Sequence, residues 1–439
     1  MKERCDHIIK GGRIVCMDAG FRVLEDHFIL VRDGLIQDIL ALDRLKDYKA
    51  QSVVDATGCL VIPALINAHS HLPMTYFRGL ADDLPLDRWL SEYIWPLEAK
   101  LVDADFVYDA SLHGAAEMLK NGICLSNDMY FHSDMIAKAC SRAGMRVIVS
   151  TAVIAPDFAG DPALYEAKML ELEDFCRDLP LAECALAPHA LYTCSEKLLK
   201  ACAGYALKHD WRLHTHLSET RLELEDCLKA HGKRPLDYLA DLGFLEARCM
   251  FAHGVWLSGE ECRRLGASNS AVAICTDSNL KLASGFAPLK SMMEHGVRFA
   301  MGTDGVASNN NLDLLEELST TAKLHKALNG DPLFLPAREA FAHVTIEAAR
   351  ALGMEDTLGS LEPGKAADLC LVDIQNLPSS PCYNPYSQLV YSMGSHQMRD
   401  VMVAGKFAVR DYQLVNLDES ELIEQADEFM RKIQREMQK

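Results

Sequence analysis

The chain has 439 residues, of which 49% are hydrophobic and 24% are charged, an ordinary globular composition with ample apolar material for a core. This length favours one large domain plus a smaller one. The formal net charge of −19 excludes a surface built to follow the phosphates of nucleic acid or of an anionic membrane, so we expect neither as a partner.

The first 60 residues contain short predicted strands separated by turn signals, and a similar pattern returns towards the other end of the chain. The predicted strands are 6–10, 13–17, 28–32, 35–40, 367–372, 400–404 and 407–409. Asp33-Gly34 between two apolar runs predicts a hairpin. These two ends predict one small β-sandwich domain built from 1–60 plus 361–415, followed by a C-terminal helix in 416–439.

The middle of the chain, 61–360, alternates between strand-like runs and helical stretches. The predicted strands are 61–66, 123–126, 146–150, 184–187, 212–216, 250–252, 271–275 and 298–301. Capping signals mark several helix ends, namely Asp103 to Gly122, Ser133 to Gly144, and Ser258 with Glu261. Eight strands alternating with helices predict a (β/α)₈ TIM barrel. The rival, an open doubly wound sheet, normally has a glycine-rich turn after its first strand, where this chain has His69-Ser70-His71.

Residues whose side chains can bind a metal, transfer a proton or form hydrogen bonds follow most of the predicted barrel strands. In a TIM barrel the active site lies at the carboxyl ends of the strands. The residues at those ends are His69 and His71 (strand one), Asp128 (two), His189 (four), His216 and Glu219 (five), His253 (six), Ser278 and Asn279 (seven) and Asp304 (eight). Such a set is difficult to obtain by chance, so it predicts an active site at this face.

The pair His69-x-His71 places two imidazoles on one face of a strand, because residues i and i+2 point the same way. Together with His216 and Asp304 it offers three nitrogens and one carboxylate oxygen. This set suits Zn²⁺, with Fe²⁺ as an alternative, and a position open for water. We predict one ion per subunit, because no lysine follows strand four to carry a bridging carbamate for a second metal.

Several of these residues have a structural explanation beside the functional one. In His214-x-His216 we assign His216 to the metal and interpret His214, one pleat deeper, as a hydrogen-bonded barrel histidine. Glu219 is either a carboxylate favoured in a first helical turn or a proton shuttle beside the metal. His253 is either a satisfied core histidine or a group at the reacting atoms. The carboxylate of Asp304 follows a buried strand, so it must be paired or metal-bound.

The fifteen cysteines include no C-x-x-C pair. This spacing fits neither a disulfide framework nor a cysteine zinc site, so we interpret them as reduced thiols. The amino terminus lacks the apolar core of a signal peptide. We therefore expect a cytoplasmic protein.

Three segments resemble the amidohydrolase superfamily in its triazine-hydrolase and deaminase branch: 63–71 (PALINAHSH), 214–219 (HTHLSE) and 302–310 (GTDGVASNN). The resemblance covers nearly the whole chain, including the flanking β domain. More narrowly, 78–83 (RGLADD) and 278–285 (SNLKLASG) resemble the 5′-methylthioadenosine/S-adenosylhomocysteine deaminases. These longer strings are more specific than the spacing of the metal ligands.

The resemblance implies a hydrolytic deaminase that converts a small-molecule adenine nucleoside to its inosine derivative and ammonia. It implies that one Zn²⁺ is held by His69, His71, His216 and Asp304. It also implies that Glu219 transfers a proton to the purine and that His253 contacts the attacking hydroxide. For the substrate it implies a ribose contact at Glu98, a purine or ribose contact at His189, and a pocket wall at Trp89. In our mechanism Asp304 also takes the proton of the attacking water.

Two positions depart from the family pattern. Pro63-Ala64 stands where the family usually has Pro-Gly, which we expect to affect only backbone freedom. Relatives that bind the homocysteine carboxylate carry an arginine just after strand three, where this chain has Ser150-Thr-Ala-Val153. The second departure favours a 5′-substituent smaller than that of S-adenosylhomocysteine.

Two other functions are compatible with the same residues. One is a deaminase or dehalogenase of a free base or triazine, such as guanine, a pterin or a chlorotriazine, which has no use for a ribose contact at Glu98. The other is a non-catalytic barrel that serves as a binding protein. Such proteins typically lose metal ligands or the proton shuttle, whereas every position is filled here. We also expect a homo-oligomer, as is common for such enzymes.

Overall fold

The computed structural model describes residues 2–154 and 161–437. The strands are β1 (Glu3–Lys10), β2 (Arg13–Val15), β3 (Val23–Leu24), β4 (His27–Arg32), β5 (Leu35–Ala41), β6 (Tyr48–Asp55), β7 (Cys59–Pro63), β8 (Leu65–Ser70), β9 (Ile123–Tyr130), β10 (Arg146–Val153), β11 (Ala182–Pro188), β12 (Arg212–Leu217), β13 (Cys249–His253), β14 (Ala271–Ile274), β15 (Arg298–Met301), β16 (Leu369–Asp373), β17 (Met398–Val403), β18 (Lys406–Arg410) and β19 (Gln413–Leu414).

The α-helices are α1 (Leu86–Arg88), α2 (Trp95–Leu101), α3 (Ala104–Lys120), α4 (Ser133–Ala143), α5 (Pro162–Arg177), α6 (Glu196–His209), α7 (Arg221–His231), α8 (Pro235–Asp241), α9 (Gly259–Gly266), α10 (Thr276–Lys281), α11 (Leu289–Glu294), α12 (Val306–Asn309), α13 (Leu314–Asn329), α14 (Ala337–Ala342), α15 (Ile346–Leu352), α16 (Pro385–Tyr391) and α17 (Glu419–Met437). A π-helical turn, Trp89–Ile94, joins α1 to α2. Within the described residues, no helix combines the length and the apolar character needed to cross a membrane.

The largest sheet has eight strands in the order β8 to β15, so strands that neighbour in sequence also neighbour in space. The pairs from β10 to β15 are parallel. A parallel bridge between Ser70 and Asp304 brings the segment after β15 beside the end of β8. With helices between its strands, this sheet is a (β/α)₈ barrel. The predicted fold class is confirmed.

The first barrel strand was predicted at 61–66, and this position is wrong. Residues Cys59–Pro63 form β7, which pairs with β16 in a different sheet, and Leu65–Ser70 form the barrel strand. The run from Cys59 to Ile66 is apolar and buried throughout, and a continuous apolar run contains no periodicity that would show where one strand ends. Likewise β9 runs on to Tyr130, so Asp128 lies within its strand and not after it.

Both chain ends contribute to a smaller β structure. One sheet has the order β5-β4-β1-β6 and the other β19-β18-β17-β16-β7-β2-β3. Side chains from both sheets, among them Ile9 and Ile29 of the first and Val61 and Leu371 of the second, share one apolar core. This is the predicted sandwich built from both termini. The hairpin predicted at Asp33-Gly34 is also present between β4 and β5.

The predicted helix caps are mostly confirmed. The Ser258 hydroxyl accepts from the Glu261 amide and the Glu261 carboxylate accepts from the Ser258 amide, which is a complete capping box at α9. The Asp103 carboxylate accepts from the Phe106 amide at 2.8 Å at the start of α3. Ser133 is not a cap, because its hydroxyl contacts the Thr151 hydroxyl.

The chain divides into two compact units. The first comprises Met1–Ile66, Ala116–Leu125 and Asp313–Leu417, and the second comprises Asn67–Ala115, Ser126–Leu312 and Asp418–Lys439. In the second unit, Phe429 of α17 packs its ring against Tyr76 and Phe106. All the predicted site residues lie in this second unit.

Candidate metal centre and substrate cavity

Three histidines and one aspartate converge at the carboxyl ends of the barrel strands. His69 lies in β8 and His71 directly follows it, while His216 lies in β12 and Asp304 follows β15. Possible ligand atoms of His69, His71 and His216 all lie within 4.8 Å of one another, and so do those of His69, His253 and Asp304. The predicted cluster is therefore assembled by the fold.

The distances within this cluster fit a metal ion. The Asp304 Oδ1 atom lies 3.4 Å from His69 Nε2 and 3.3 Å from His71 Nε2, and the Nε2 atoms of His71 and His216 are 3.4 Å apart. Donor atoms about 2.0 Å from an ion at the centre of a tetrahedron lie roughly 3.3 Å from one another. Among the described residues, the buried His69 Nε2 has no hydrogen-bond partner. A cation would satisfy this atom and the crowded nitrogen lone pairs around it.

The outward nitrogen of each histidine is hydrogen-bonded. His71 Nδ1 donates to the Met129 carbonyl at 2.5 Å, and His216 Nδ1 donates to the His189 carbonyl at 2.8 Å. Each bond places the proton on Nδ1 and leaves the Nε2 lone pair for the cluster, as is usual for metal-binding histidines. Burial lowers the pKa of His216 well below its ordinary value, so its ring is neutral.

Asp304 is held by hydroxyl groups and by the strand end itself. Its Oδ2 atom accepts from the Ser278 hydroxyl at 2.6 Å and from the Ser308 hydroxyl at 3.0 Å, and its amide donates to the His69 carbonyl at 3.0 Å. The backbone just after β15 lies so close to the backbone of His69 that glycine is required at position 302, where a Cβ atom would lie 2.9 Å from the His69 amide nitrogen.

Glu219 and His253 lie beside the cluster. His253 Nε2 is 3.7 Å from Glu219 Oε2, and His253 Nδ1 contacts the Asn279 side-chain oxygen at 3.0 Å. Burial raises the pKa of Glu219. The φ angles of Ser218, His253 and Asp304 are +50°, +76° and +61°, a region that costs non-glycine residues about 1–3 kcal/mol and is typical of functional sites.

The cluster forms one end of a cavity that is open to solvent. Its lining includes the predicted residues His71, His216, Asp304, Glu219, His253, Glu98, His189 and Trp89. His69 is fully buried and is not among the lining residues. Leu86, Trp95, Phe131, Ile154 and Tyr192 add apolar surface. A mostly apolar cavity with a few convergent polar groups is typical of a small-molecule site.

Glu98 is a carboxylate of the cavity wall that is not part of the histidine–aspartate cluster. It lies on α2 and is only 8% exposed. Its Oε1 atom accepts a hydrogen bond from the Tyr130 hydroxyl at 2.5 Å. Burial raises the pKa of Glu98 to about 7. His189, also in the wall, is a neutral ring, because burial lowers its pKa to about 3.

The sequence interpretation missed two residues of this site. Tyr130 holds Glu98, but 32 residues separate them and no local pattern connects a strand tyrosine to a helix glutamate. Glu223 accepts from the amides of Ser218 and Glu219, each at 2.9 Å. Its signal was present in Thr220-x-x-Glu223, which has capping-box spacing. Asp128 bonds the Ser70 hydroxyl and the Leu72 amide and is not among the cavity-lining residues.

A (β/α)₈ barrel whose strand ends gather three imidazoles and a carboxylate defines a metal-dependent enzyme. Residues 60–408 match the model of the amidohydrolase family. The chain belongs to the amidohydrolase family.

Two relatives and one solved structure are similar to this chain over nearly its whole length. A protein of Thermodesulfovibrio yellowstonii named 5-methylthioadenosine/S-adenosylhomocysteine deaminase is 42% identical, over 95% of this chain and 97% of its own. A protein of Methanothermobacter thermautotrophicus named 5'-deoxyadenosine deaminase is 40% identical, over 91% and 93%. The crystal structure of an adenosine deaminase from Xanthomonas campestris with bound zinc is 37% identical, covers 99% of this chain and 100% of its own, and superposes with a TM-score of 0.96.

Proposed function

We propose that this chain is a zinc-dependent hydrolytic deaminase of adenine nucleosides, which releases ammonia and leaves the inosine derivative. One observation carries the proposal, namely that a single cavity contains both the histidine–aspartate cluster and the buried carboxylate of Glu98. A free base or a triazine has no hydroxyl groups to engage such a carboxylate, whereas a ribose has two. The names of the two relatives and of the solved structure support the same substrate class.

His69, His71, His216 and Asp304 are the residues that would hold one Zn²⁺, and the same donor set also accommodates Fe²⁺. Bound there, the ion acts as a Lewis acid that lowers the pKa of water towards ~7. The chain itself supplies imidazole nitrogens that already face one point, together with the carboxylate of Asp304, whose pKa is held well below its ordinary value by His69 and His71.

His253 and Asp304 act on the attacking water in this mechanism. The Asn279 oxygen beside His253 Nδ1 keeps the proton on that nitrogen, so Nε2 is left to accept a hydrogen bond from the water and orient it. Asp304 accepts one proton from the water. It then returns this proton to the departing amine, so that ammonia leaves as the C6–N bond breaks. The proton left on the added oxygen passes to the carboxylate of Glu219, which has given its own proton to purine N1, so that the C6=O bond forms and Glu219 is reprotonated.

Glu219 supplies the proton on the purine side. Because burial raises its pKa, it carries a proton closer to neutral pH than an exposed glutamate does. We assign it donation to purine N1, which neutralises the negative charge that develops there as oxygen adds to C6. The buried position, 6% exposed, keeps bulk water from competing for this proton.

Residues of the cavity wall bind the nucleoside in this proposal. We assign the Glu98 carboxylate to the ribose hydroxyls, with the Tyr130 hydroxyl on Oε1 holding it in place. His189 contacts the purine or the ribose, and Trp89 forms an apolar wall.

A small uncharged 5′-substituent is the preferred one in this proposal. Strand β10 ends at Val153, and the segment Ser150-Thr-Ala-Val153 stands where some relatives carry an arginine. The sequence contains no lysine or arginine from 147 to 167. A homocysteine carboxylate would thus find no cation from this segment, so 5′-methylthioadenosine and related nucleosides should be deaminated with a higher kcat/KM than S-adenosylhomocysteine.

We also propose that the protein is a homo-oligomer and that it is located in the cytoplasm.

Ammonia release by the zinc-loaded protein tests the function, with 5′-methylthioadenosine, S-adenosylhomocysteine, adenosine, guanine and a chlorinated triazine as substrates. We expect turnover of the adenine nucleosides that is lost on chelation, with S-adenosylhomocysteine the poorest of them. Turnover of guanine or the triazine alone would overturn the substrate class. Binding without turnover of any compound would favour the non-catalytic alternative.

A further inference from the structure

The start of α7 carries the sequence signature of a capping box, Thr220-Arg-Leu-Glu223. In such a box the threonine hydroxyl accepts from the glutamate amide, and the glutamate carboxylate returns to the threonine amide. The first half is present, since Thr220 Oγ1 accepts from the Glu223 amide at 3.2 Å. The second half is replaced by a different arrangement.

The Glu223 carboxylate reaches past Thr220 to the two residues before it. Its Oε1 atom accepts from the Ser218 amide and its Oε2 atom from the Glu219 amide, both at 2.9 Å. The side chain is buried, with 5% of the residue exposed. The complete box at α9 differs, because there Glu261 accepts from the amide of its own cap, Ser258, at 2.8 Å.

The segment that Glu223 holds is strained. Ser218 has φ +50°, a left-handed conformation that a non-glycine residue keeps only when its surroundings enforce it. On the opposite side, the carbonyls of Leu217 and Ser218 accept from the amides of Gly254 and Trp256, at 3.0 and 2.9 Å. These two amides follow His253, so the turn is fixed by Glu223 on one side and by the segment after His253 on the other.

We propose that Glu223 is a positioning residue that aims the Glu219 carboxyl group at the substrate, an inference that rests on the proposed function. Each of the two amides donates to a different oxygen of Glu223, and a carboxyl group offers both oxygens. Glutamine would present its NH₂ group to one of these amides, and the turn would lose a hydrogen bond. Glu223 then acts on the reaction only through the geometry of Glu219.

A double-mutant cycle tests this role, using Glu223→Gln, Glu219→Gln and the combined variant, with Glu261→Gln as the matched control from α9. We expect Glu223→Gln to lower kcat roughly 10- to 100-fold and to change KM less than about threefold, with metal content unchanged. Added to Glu219→Gln, it should lower kcat no further, because the two residues act as one unit. Glu261→Gln should leave kcat within about twofold of the wild-type value, since its bonds end at a helix cap and at Arg234.

Hydrogen exchange gives a reading that is independent of turnover. In the wild-type protein the amides of Ser218 and Glu219 should exchange slowly, and Glu223→Gln should speed up the exchange of these two amides while leaving that of the barrel strands unchanged. Fast exchange of both amides in the wild-type protein would overturn the proposal even if the variant fails to fold. So would fully additive losses in the cycle, or a kcat of Glu223→Gln equal to that of the control. A wild-type protein that deaminates no nucleoside would instead overturn the proposed function, and this role with it.

Discussion

The two ends of the cavity are built in different ways. At the metal end the side chains of the cluster are held by other protein groups, as His71 is by the Met129 carbonyl and Asp304 is by the Ser278 hydroxyl. At the substrate end the carboxylate of Glu98 is held by the Tyr130 hydroxyl, in largely apolar surroundings. The metal end is therefore preorganised for chemistry, which depends on exact angles and charges. In our proposal the substrate end recognises the nucleoside through the apolar shape of the wall and the buried carboxylate of Glu98.

Within the metal end, the two His-x-His pairs also differ from each other in how many of their rings face the cluster. Both histidines of the first pair, His69 and His71, direct nitrogens at the cluster. In the second pair only His216 does so, and His214 Nε2 instead contacts His69 Nδ1 at 2.8 Å. His214 thus serves as a support for a ligand, which agrees with its interpretation as a hydrogen-bonded barrel histidine.

The largest effect should follow removal of a cluster residue. His216→Ala deletes one of three nitrogen donors and leaves an incomplete coordination set, so both the bound metal and all measurable turnover should be lost. Metal analysis after gel filtration, together with an ammonia assay, checks this. Full metal occupancy in the variant would show that His216 is not a ligand.

The next effect concerns proton transfer at the same end. Glu219→Gln keeps the size of the side chain but removes the transferable proton, so kcat should fall about 10²- to 10⁴-fold while the metal is retained. Parallel measurements of kcat and metal content separate the proton carrier from the ligands. A near-normal rate would exclude the role of Glu219.

A smaller effect should separate the two His-x-His pairs. His214→Phe leaves the buried His69 Nδ1–H group without an acceptor, so metal affinity should fall about 10- to 100-fold. His214→Gln offers a side-chain oxygen in its place and should recover part of that loss. Competition with a chelator measures both affinities. Equal affinities for the two variants and the wild-type protein would show that His214 does not support His69.

The mildest effect should come from the substrate end and should depend on pH. The raised pKa of Glu98, about 7, means that its carboxyl group is largely protonated below pH 7 and ionised above it. Only the ionised form accepts from both ribose hydroxyls, so KM for a nucleoside should fall as the pH rises through 7. Glu98→Gln should raise KM roughly 10-fold and remove this dependence, with kcat changed less. Initial rates across the pH range decide this, and an unchanged pH dependence of KM in Glu98→Gln would exclude the assignment.

Much of the metal end could be predicted from the sequence, because its residues follow two local rules. Residues i and i+2 of a strand share a face, and the ends of parallel strands meet at one side of a barrel. These rules place His69, His71, His216 and Asp304 together, as the structure does. The roles given to the individual residues remain predictions.

The parts that could not be predicted depend on contacts between distant residues or on uninterrupted apolar sequence. The boundary between β7 and β8 falls inside one apolar run, so no pattern marks it. Tyr130 reaches Glu98 only because β9 continues beyond its predicted end. Glu223 has a sequence signature, but the same spacing at Glu261 produces an ordinary cap. Only the fold shows which amides each carboxylate reaches.

The most direct test of the central claim is the fate of oxygen and nitrogen during turnover of 5′-methylthioadenosine in water labelled with heavy oxygen. The protein would be assayed as zinc-loaded, after chelation, and after zinc is restored. We predict one ammonia released for each labelled oxygen found at purine C6, with both lost on chelation and both regained on reloading. Intact nucleoside after incubation with the zinc-loaded protein, or ammonia release that is indifferent to chelation, would contradict it.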